Sequence, residues 1–274
     1  MNAPRKLMAV LAHPDDESLG LGGTLAKYAA DGVDVSLVTA TRGETGRFDG
    51  HPPGDTNHPG PSALGTIREA EVRRAAAVLG IGSVVLLDYP DRHLDGVDPV
   101  SAIGRIASHV RRFRPDVVVT FGPDGAYGHP DHIAISQLTS AAVVTAAGLD
   151  PARDEDGPPH VVSKLYYLAW PASTWAAYEA AVRILSATVD GVKRQATAWP
   201  DWAITTAIDA TDVWATVWRA VSCHASQLAS YGGLRDLSPE RHRVLWGTQS
   251  FYRVFSRVNG GRTRERDLFE GVPR

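Results

Sequence analysis

The chain has 274 residues, of which 43% are hydrophobic and 22% charged, and its formal net charge is −3. This length supports a full hydrophobic core, and the slightly acidic composition lacks the basic footprint of nucleic-acid-binding proteins. No apolar run approaches the roughly 20 residues that a membrane-spanning helix needs.

Two further features concern the cellular compartment. Residues 1–6 lack the long apolar region of a secretory signal, and Cys223 is the only cysteine, so no internal disulfide can form. A reducing environment fits this cysteine usage. We therefore expect a cytoplasmic protein.

Apolar runs alternate with helical patterns through the first half of the chain. The predicted strands are Leu7–Leu11, Val33–Ala40, Ser83–Asp88 and Asp116–Phe121. The predicted helices are Ser18–Ala30, Thr66–Leu79, Val100–Phe113 and Ile133–Ala147. Strands that alternate with helices indicate an α/β fold of Rossmann-like type, with a mostly parallel sheet and helices on both faces.

The second half of the chain is less regular. Asp150–His160 is polar and Pro-rich and predicts a surface loop, Lys164–Trp170 predicts a strand, and a helix is plausible from about Asp212 to Ser230. We expect one domain over residues 1–274. In it, residues 1–150 form the α/β core with the metal site, and residues 151–274 complete the sheet and the substrate pocket.

A long segment without periodicity, Arg47–Leu64, follows the second strand. It is rich in Pro, Gly and Asp and contains His51 and His58. Long irregular loops are usually functional or mobile. A solvated flap near the pocket is the preferred interpretation, with a second metal site on the two histidines as the alternative.

The first chemically distinctive stretch is His13-Pro14-Asp15-Asp16-Glu17, between the first strand and the helix after it. Helix capping and the helix dipole explain one or two of these acids but not the histidine. A divalent metal explains the whole cluster. His13 and Asp16 can ligate the ion, which leaves Asp15 free to act on a bound water.

The second stretch, Gly128-His129-Pro130-Asp131-His132, follows the fourth strand. In open parallel sheets ligands bind beyond the carboxyl ends of the strands, where the strand order reverses. The first and fourth strands are neighbours there in a doubly wound sheet. We therefore expect the two stretches to face each other.

Together these stretches offer the parts of a catalytic zinc site. His13, Asp16 and one of the two histidines supply three ligands and leave a position for water, whose pKa the metal lowers towards about 7. The other histidine would stabilise the oxyanion or protonate the leaving group. Asp131 could hold that histidine in the required tautomer. Such parts suit hydrolysis of an amide or an ester.

The two stretches, with Tyr127 just before the second, resemble the paired motifs of the PIG-L / LmbE-like N-deacetylase family. The resemblance covers roughly residues 5–150, with a weaker echo at Cys223–Gln227 that lacks the lysine often found upstream. It implies removal of an N-acetyl group from a glucosamine-containing small molecule, as in mycothiol and bacillithiol biosynthesis. It also implies Zn²⁺, with Fe²⁺ as the alternative.

Residue by residue, the resemblance assigns roles to nine positions. The implied metal ligands are His13, Asp16 and His132. The implied catalytic groups are Asp15 as general base and His129 as oxyanion partner or general acid, and we expect His129 to act as a cation oriented by Asp131. The implied substrate-binding residues are Tyr127, which polarises the carbonyl, and Glu44, Arg68 and Asp91, which line the sugar pocket.

Several competing interpretations concern single residues or motifs. A dinucleotide-binding loop at Gly20–Gly23 fails because Leu25 occupies the third glycine position. A thiol nucleophile at Cys223 fails because it and His224 are adjacent helical residues that do not face each other. Arg68 with Glu71 could be a solvated helical pair, and Asp91 a turn former.

The function as a whole also has two competing interpretations. An amidase that cleaves a larger acyl group or a thiol conjugate would use the same parts, and a non-catalytic metal-binding protein could retain the fold. The tryptophans are most simply core residues, although some could stack on a sugar. A homo-oligomer is left open.

Overall fold

In the computed structural model the described residues are 3–148, 157–181, 186–189, 191–261 and 263–273. The strands within them are β1 (Lys6–Leu11), β2 (Asp34–Thr41), β3 (Ser83–Tyr89), β4 (Val117–Thr120), β5 (Lys164–Leu168), β6 (Ser186–Val189), β7 (Val192–Gln195), β8 (Thr206–Asp209) and β9 (Thr248–Ser256). The helices are α1 (Asp16–Leu19), α2 (Gly22–Ala30), α3 (Pro61–Leu79), α4 (Pro99–Phe113), α5 (Gly125–Gly128), α6 (Pro130–Ala147), α7 (Ala172–Ala181), α8 (Trp214–Cys223) and α9 (Pro239–Trp246).

One seven-stranded sheet organises these elements in the order β3-β2-β1-β4-β5-β9-β8, and a separate hairpin pairs β6 with β7. The first five strands of this order are parallel, and β9 is antiparallel to both β5 and β8. The strand order reverses between β1 and β4, as predicted. The α/β fold with a mostly parallel sheet is confirmed.

The sequences of the central strands explain their position. All four residues of β4 are buried, as are the last five of β1, so both faces of these strands are covered. Parallel strands that are covered on both faces carry continuous apolar runs. Because crossovers are right-handed, the connection from β1 to β2 and the connection from β4 to β5 place their helices on opposite faces.

The helix predicted at Ser18–Ala30 is divided into α1 and α2. Gln249 of β9 bridges the break, because its Nε2 donates to Gly20 O at 3.1 Å and its Oε1 accepts from Thr24 N at 2.6 Å. A Cβ added at Gly23 would lie 2.6 Å from the Ala210 Cβ. The break thus depends on packing by residues more than 180 positions away, which no local pattern reveals.

Two further predicted boundaries were wrong. The helix predicted from Thr66 begins at Pro61, inside the loop predicted to reach Leu64. The sequence pattern missed this start because the first three residues of the helix are exposed and show no apolar periodicity. The helix predicted from Asp212 to Ser230 is limited to α8, with separate 3₁₀ turns on both sides of it. The surface loop predicted at Asp150–His160 lies mostly outside the described residues.

The C-terminal part adds a second hydrophobic cluster beside the main core. Its buried members come from α7, α8, α9 and the 3₁₀ segment Leu228–Asp236, and include Trp175, Tyr178, Tyr231 and Trp246. These two tryptophans are core residues, as expected, whereas Trp202 is 85% exposed. None of the helices in the described ranges is both long and apolar enough to cross a bilayer.

Glu265 fastens the C-terminal end of the chain to the sheet. Its carboxylate accepts hydrogen bonds from Lys164 Nζ, Tyr166 OH and Arg253 Nη1, each at 2.7 Å. Burial opposes ionisation, but hydrogen bonds from Lys164, Tyr166, Asn259 and Thr206 lower the pKa of Glu265 to about 2. The buried Lys164 ammonium has this carboxylate as its ion-pair partner.

We expect Glu265→Ala to destabilise the protein by about 3–5 kcal/mol at pH 7, because it leaves a buried ammonium without its partner. A depressed carboxyl pKa contributes stability above the unfolded value of about 4.3, and this contribution disappears as the pH falls towards 2. Urea unfolding at about pH 7 and about pH 3.5, on either side of that unfolded value, should therefore show a smaller difference between variant and wild type at the lower pH. An equal difference at both values would contradict the assigned charge.

Candidate active site and metal centre

The first stretch forms the turn between β1 and α1, at the carboxyl edge of the sheet. Asp15 has φ 108° and ψ −27°, a left-handed conformation that is strained for a residue with a side chain. Its backbone N–H donates to Glu17 Oε2 at 2.9 Å. Such strain persists only where the surrounding contacts hold it, and it is concentrated at functional sites.

The second stretch forms the start of α6, beyond the carboxyl end of β4. His129 is the residue before the helix, and its Nδ1 accepts a hydrogen bond from Asp131 N at 3.2 Å. His132, in the first turn of the helix, stacks on Phe121 with ring centroids 3.9 Å apart. The expected meeting of the two stretches therefore occurs at the junction of β1 and β4.

One side of the His13 ring faces two other atoms that can ligate a metal. His13 Nδ1 lies 3.2 Å from His132 Nε2 and 3.7 Å from Asp16 Oδ2, and His132 Nε2 lies 3.5 Å from Asp16 Oδ1. In a tetrahedral zinc site with bonds of about 2.0–2.1 Å, neighbouring ligand atoms lie about 3.4 Å apart. The spacing of these three residues therefore fits a single ion.

The chemistry of two of these residues, His132 and Asp16, agrees with that spacing. Burial lowers the pKa of His132 well below its usual value, so its imidazole is the neutral form that binds metals. Burial also raises the pKa of Asp16, and the neighbouring Asp15 and Glu17 add to this shift, so additional positive charge would favour its ionised form. A cation between these side chains would supply that charge.

The other side of the His13 ring faces two carboxylates. His13 Nε2 donates to Asp131 Oδ2 at 3.0 Å and lies 3.2 Å from Asp91 Oδ1. These three residues could also form a metal cluster. However, Arg92 N and Leu94 N already donate to Asp131 at 2.7 and 3.1 Å.

Asp91 is satisfied in the same way, because its Oδ2 accepts from Thr45 N at 2.9 Å and Thr45 Oγ1 at 2.7 Å. Burial raises the pKa of Asp91, but the hydrogen bonds from His13 and Thr45 lower it by a larger amount, so the net shift is downward. The two carboxylates therefore suit the role of orienting His13. A histidine that ligates a metal usually donates its other ring N–H to such groups.

The expected partnership of Asp131 with His129 is wrong. The Asp131 carboxylate contacts His13, and only the Asp131 backbone N–H reaches His129. The helix start explains this, because a residue at the N-cap accepts from a backbone N–H in the first turn. Asp131 can therefore orient the His13 ring but not the His129 ring.

The surroundings of His129 disfavour the expected positive charge. Burial and the neighbouring His13 lower the pKa of His129 to about 4. Because its Nδ1 accepts from Asp131 N, the neutral ring carries its proton on Nε2. His129 lines the cavity and can donate from Nε2 without being a cation.

Asp15 is held by two donors on the same oxygen. Arg68 Nη2 lies 2.9 Å and Tyr231 OH 2.6 Å from Asp15 Oδ2, whereas Oδ1 has no hydrogen-bond partner among the described residues. Arg68 also donates to Gly43 O at 2.8 Å, and a Cβ at Gly43 would lie only 1.9 Å from its Nη1. Glycine at position 43 thus makes room for the guanidinium.

The solvated pair considered for Arg68 and Glu71 is wrong, since both side chains are buried. Glu71 instead accepts from Ser226 N at 2.8 Å and from Ser226 Oγ at 2.7 Å. Arg68 donates to Asp15 and to the Pro14 carbonyl oxygen. The helix periodicity placed both residues correctly on one helix but could not show what each side chain meets.

A second buried pair lies behind the turn. His224 Nε2 is 2.7 Å from Glu17 Oε1, and both side chains are fully buried. Burial alone would neutralise both groups, but their mutual attraction raises the pKa of His224 and lowers that of Glu17. The partner of His224 is therefore Glu17 and not Cys223, which agrees with the rejection of a thiol pair.

A cavity of about 270 Å³ opens onto the candidate metal ligands and catalytic residues of the two stretches. Its walls combine an apolar side, which includes Leu19, Trp170 and Tyr178, with five ionisable side chains of the two stretches: His13, Asp15, Asp16, His129 and His132. A larger groove of about 560 Å³ lies beside Pro171 and Arg264, but no histidine lines it among the described residues. The smaller cavity is therefore the candidate active site.

The remaining predicted residues lie at different distances from this cavity. Tyr127 and Arg68 line it, and the Tyr127 ring packs edge-on against His132 with centroids 5.4 Å apart. Glu44 does not line it but accepts from Asp91 N at 2.9 Å.

The two histidines of the long loop have partners of their own. His51 lies 3.4 Å from Asp55, and His58 contacts Gly46 O at 3.1 Å.

Similarity to known proteins identifies the family. The family model for PIG-L, GlcNAc-PI de-N-acetylase, matches residues 8–143, which include both stretches. The chain is 34% identical to a 1D-myo-inositol 2-acetamido-2-deoxy-alpha-D-glucopyranoside deacetylase from Kineococcus radiotolerans, over 99% of this chain and 84% of that protein. A protein of the same name from Streptomyces avermitilis is 36% identical, over 98% and 97% of the two chains. The chain belongs to the PIG-L family.

Solved structures of similar fold extend beyond this chemistry. A conserved protein from Thermus thermophilus is 25% identical, with TM-score 0.63 over 93% of this chain and 96% of its own. A 4-carboxy-2-hydroxymuconate hydratase from Pseudomonas putida is 21% identical, with TM-score 0.67 over 94% and 99%. Because this hydratase shares the fold, the fold of a PIG-L member does not by itself decide its reaction.

Sequence reasoning missed Tyr231 and His224 as parts of the site, and it gave no individual role to Glu17 of the first stretch. The one available signal was the echo at Cys223–Gln227, which contains His224 but indicates no partner for it. Tyr231 follows the helix predicted from about Asp212 to Ser230, in a segment for which the sequence predicted no element. Its contact with Asp15 joins residues 216 positions apart.

Proposed function

We propose that this PIG-L member is a zinc-dependent deacetylase that hydrolyses the N-acetyl group of a glucosaminide of a small polyol. The observation that carries this proposal is one cavity lined both by Asp15, whose Oδ1 has no hydrogen-bond partner among the described residues, and by the three closely spaced candidate ligands His13, Asp16 and His132. The full-length similarity to deacetylases named for an inositol glucosaminide supports the choice of substrate.

The three donor residues would hold Zn²⁺, with Fe²⁺ as the alternative. When bound, the ion supplies Lewis-acid chemistry, polarising the amide carbonyl and lowering the pKa of a water. His13 is kept in position for this by Asp91 and Asp131. Neither of these carboxylates needs to touch the ion, because both already have several hydrogen-bond donors.

The remaining groups of the cavity serve the proton transfers. Asp15 Oδ1 removes a proton from the attacking water, whose oxygen forms a bond to the acetyl carbon. His129 Nε2–H donates a hydrogen bond to the oxygen that becomes negative, and Tyr127 lies beside it. As the carbon–nitrogen bond breaks, the proton held by Asp15 passes to the amine, and acetate leaves.

The cavity wall formed by Trp170 and Tyr178 suits a sugar ring. The two aromatic rings lie 5.2 Å apart between centroids, beside Leu19. Sugars present C–H groups on their ring faces, which pack on apolar and aromatic side chains. Arg68 and Glu44 would act on this substrate through Asp15 and Asp91, which they hold.

The direct test measures acetate release from N-acetylglucosaminyl inositol by the metal-loaded protein. We expect hydrolysis of this compound, slower hydrolysis of free N-acetylglucosamine, and little of analogues with a benzoyl group in place of acetyl. Asp15→Asn serves as the catalytically impaired control. Preferential cleavage of the benzoyl amide or of a thiol-conjugate amide would instead support the amidase alternative.

A further inference from the structure

Two residues of the C-terminal part reach the turn that carries Asp15, and neither has a role in the steps above. Tyr231 donates to the Asp15 carboxylate at 2.6 Å. His224 pairs with Glu17, whose other oxygen accepts from the Asp15 backbone N–H at 2.9 Å. The side chain and the backbone of Asp15 are thus held from the same segment.

The backbone contact matters because Asp15 is strained. Its φ of 108° would relax without a fixed partner for the N–H, and Glu17 supplies that partner from a fully buried position. Glu17 is itself fixed by His224 at 2.7 Å and by Ser18 Oγ at 2.6 Å. His224 therefore acts on Asp15 through Glu17.

The side-chain contact decides which oxygen is available. Tyr231 and Arg68 both donate to Oδ2, so the carboxylate cannot rotate without losing two hydrogen bonds, one of them an ion pair. Oδ1 is consequently left without a hydrogen-bond partner among the described residues, and Asp15 lines the cavity. A single donor would fix the position of one oxygen but would restrict the plane of the carboxylate less.

The position of Tyr231 is in turn determined by the second hydrophobic cluster. Its ring is buried with Tyr178, Leu228 and Leu234. Gly232, the next residue, has φ 58° and ψ −131°, which only glycine adopts readily. The chain thus turns sharply after Tyr231, so that the ring enters the cluster while the hydroxyl reaches Asp15.

We propose that the segment from His224 to Tyr231 positions the general base, with Tyr231 acting on the Asp15 carboxylate and His224 acting through Glu17 on the Asp15 backbone. This inference rests on the proposed function, in which Asp15 is the base. Tyr231 and His224 are positioning residues in this scheme. The C-terminal part therefore contributes to the reaction as well as to the pocket wall.

The test begins with Tyr231→Phe in the metal-loaded protein. This change keeps the ring packing and removes one donor from Asp15, and we expect kcat to fall about 10- to 100-fold, the range typical of a small misplacement. The KM and the metal content should not change. Tyr167→Phe is the matched control, because it removes a hydroxyl bonded to Ser140 at 2.7 Å outside the cavity.

The same change in an Asp15→Asn background identifies the route of the effect. If Tyr231 acts through Asp15, its removal there should cost about 2-fold or less, because coupled changes are not additive. His224→Gln, which retains a donor but not the charge, should lower kcat in wild type and have a similarly small effect in that background. Thermal unfolding of each variant verifies that the fold is retained.

Several results would overturn the inference. An unchanged kcat in Tyr231→Phe, a raised KM at constant kcat, loss of metal, or an equal loss in both backgrounds would each do so. Failure of the proposed function would give different results. The wild type would then hydrolyse no N-acetylglucosaminide, or Asp15→Asn would retain normal turnover.

Discussion

Asp15→Asn is expected to lower kcat about 10²–10⁴-fold, the usual cost of removing a general base. The structure explains why this variant should otherwise resemble the wild type. The asparagine carbonyl oxygen can accept from Arg68 and Tyr231 in place of Oδ2, which directs the amide nitrogen to the position of Oδ1. The cavity would keep its shape and lose its basic oxygen.

The measurements for this variant are kcat on the N-acetylglucosaminyl inositol, metal content and thermal unfolding. Metal content should remain near that of the wild type, because Asp15 is not among the three donor residues. Asp31→Asn, an exposed residue at the end of α2, provides the same chemical change away from the cavity. Near-normal turnover in Asp15→Asn would assign the proton to another group.

His132→Ala is expected to remove most of the bound metal and almost all activity. Its Nε2 lies 3.2 Å from His13 Nδ1 and 3.5 Å from Asp16, so its removal takes away one of three ligands. Zinc content after dialysis against a weak chelator measures the loss. The change also leaves an empty space where the His132 ring stacks on Phe121, and thermal unfolding tests whether this space destabilises the fold.

Two additional variants distinguish the possible positions of the ion. His129→Ala should keep its metal but lose turnover, because His129 is not among the three proposed ligands. Asp131→Asn should weaken metal affinity about 10- to 100-fold, as expected for a residue that orients a ligand. If His132→Ala kept full occupancy while Asp131→Asn lost all metal, the ion would lie on the Nε2 side of His13.

The predictions for the metal depend on the arrangement of His13, whose Nδ1 faces the other two proposed ligands and whose Nε2 faces two carboxylates. The sequence predicted all four neighbours as site residues, but it assigned Asp131 to His129 and Asp91 to the sugar pocket. Spacing along a chain cannot distinguish the two cases, because a carboxylate at the start of a helix can turn towards either side. The direction was decided by Arg92 N and Leu94 N, which draw Asp131 towards His13.

The sequence by itself determined the α/β fold, the adjacency of the first and fourth strands and the stretches that meet at their carboxyl edge. It could do so because buried parallel strands have continuous apolar sequences and because strand order fixes which loops are neighbours. It also determined the family, since both stretches are short and locally complete. These are properties of residues close together in the chain.

The tertiary structure alone decided how Asp15 is held and which of its oxygens remains free. Tyr231, Arg68 and His224 come from three different elements, separated from Asp15 by 216, 53 and 209 positions along the sequence. No periodicity or capping rule relates residues at such distances. Their contacts depend on the side-chain packing of the second cluster and on one glycine turn, so they exist only once the chain has folded.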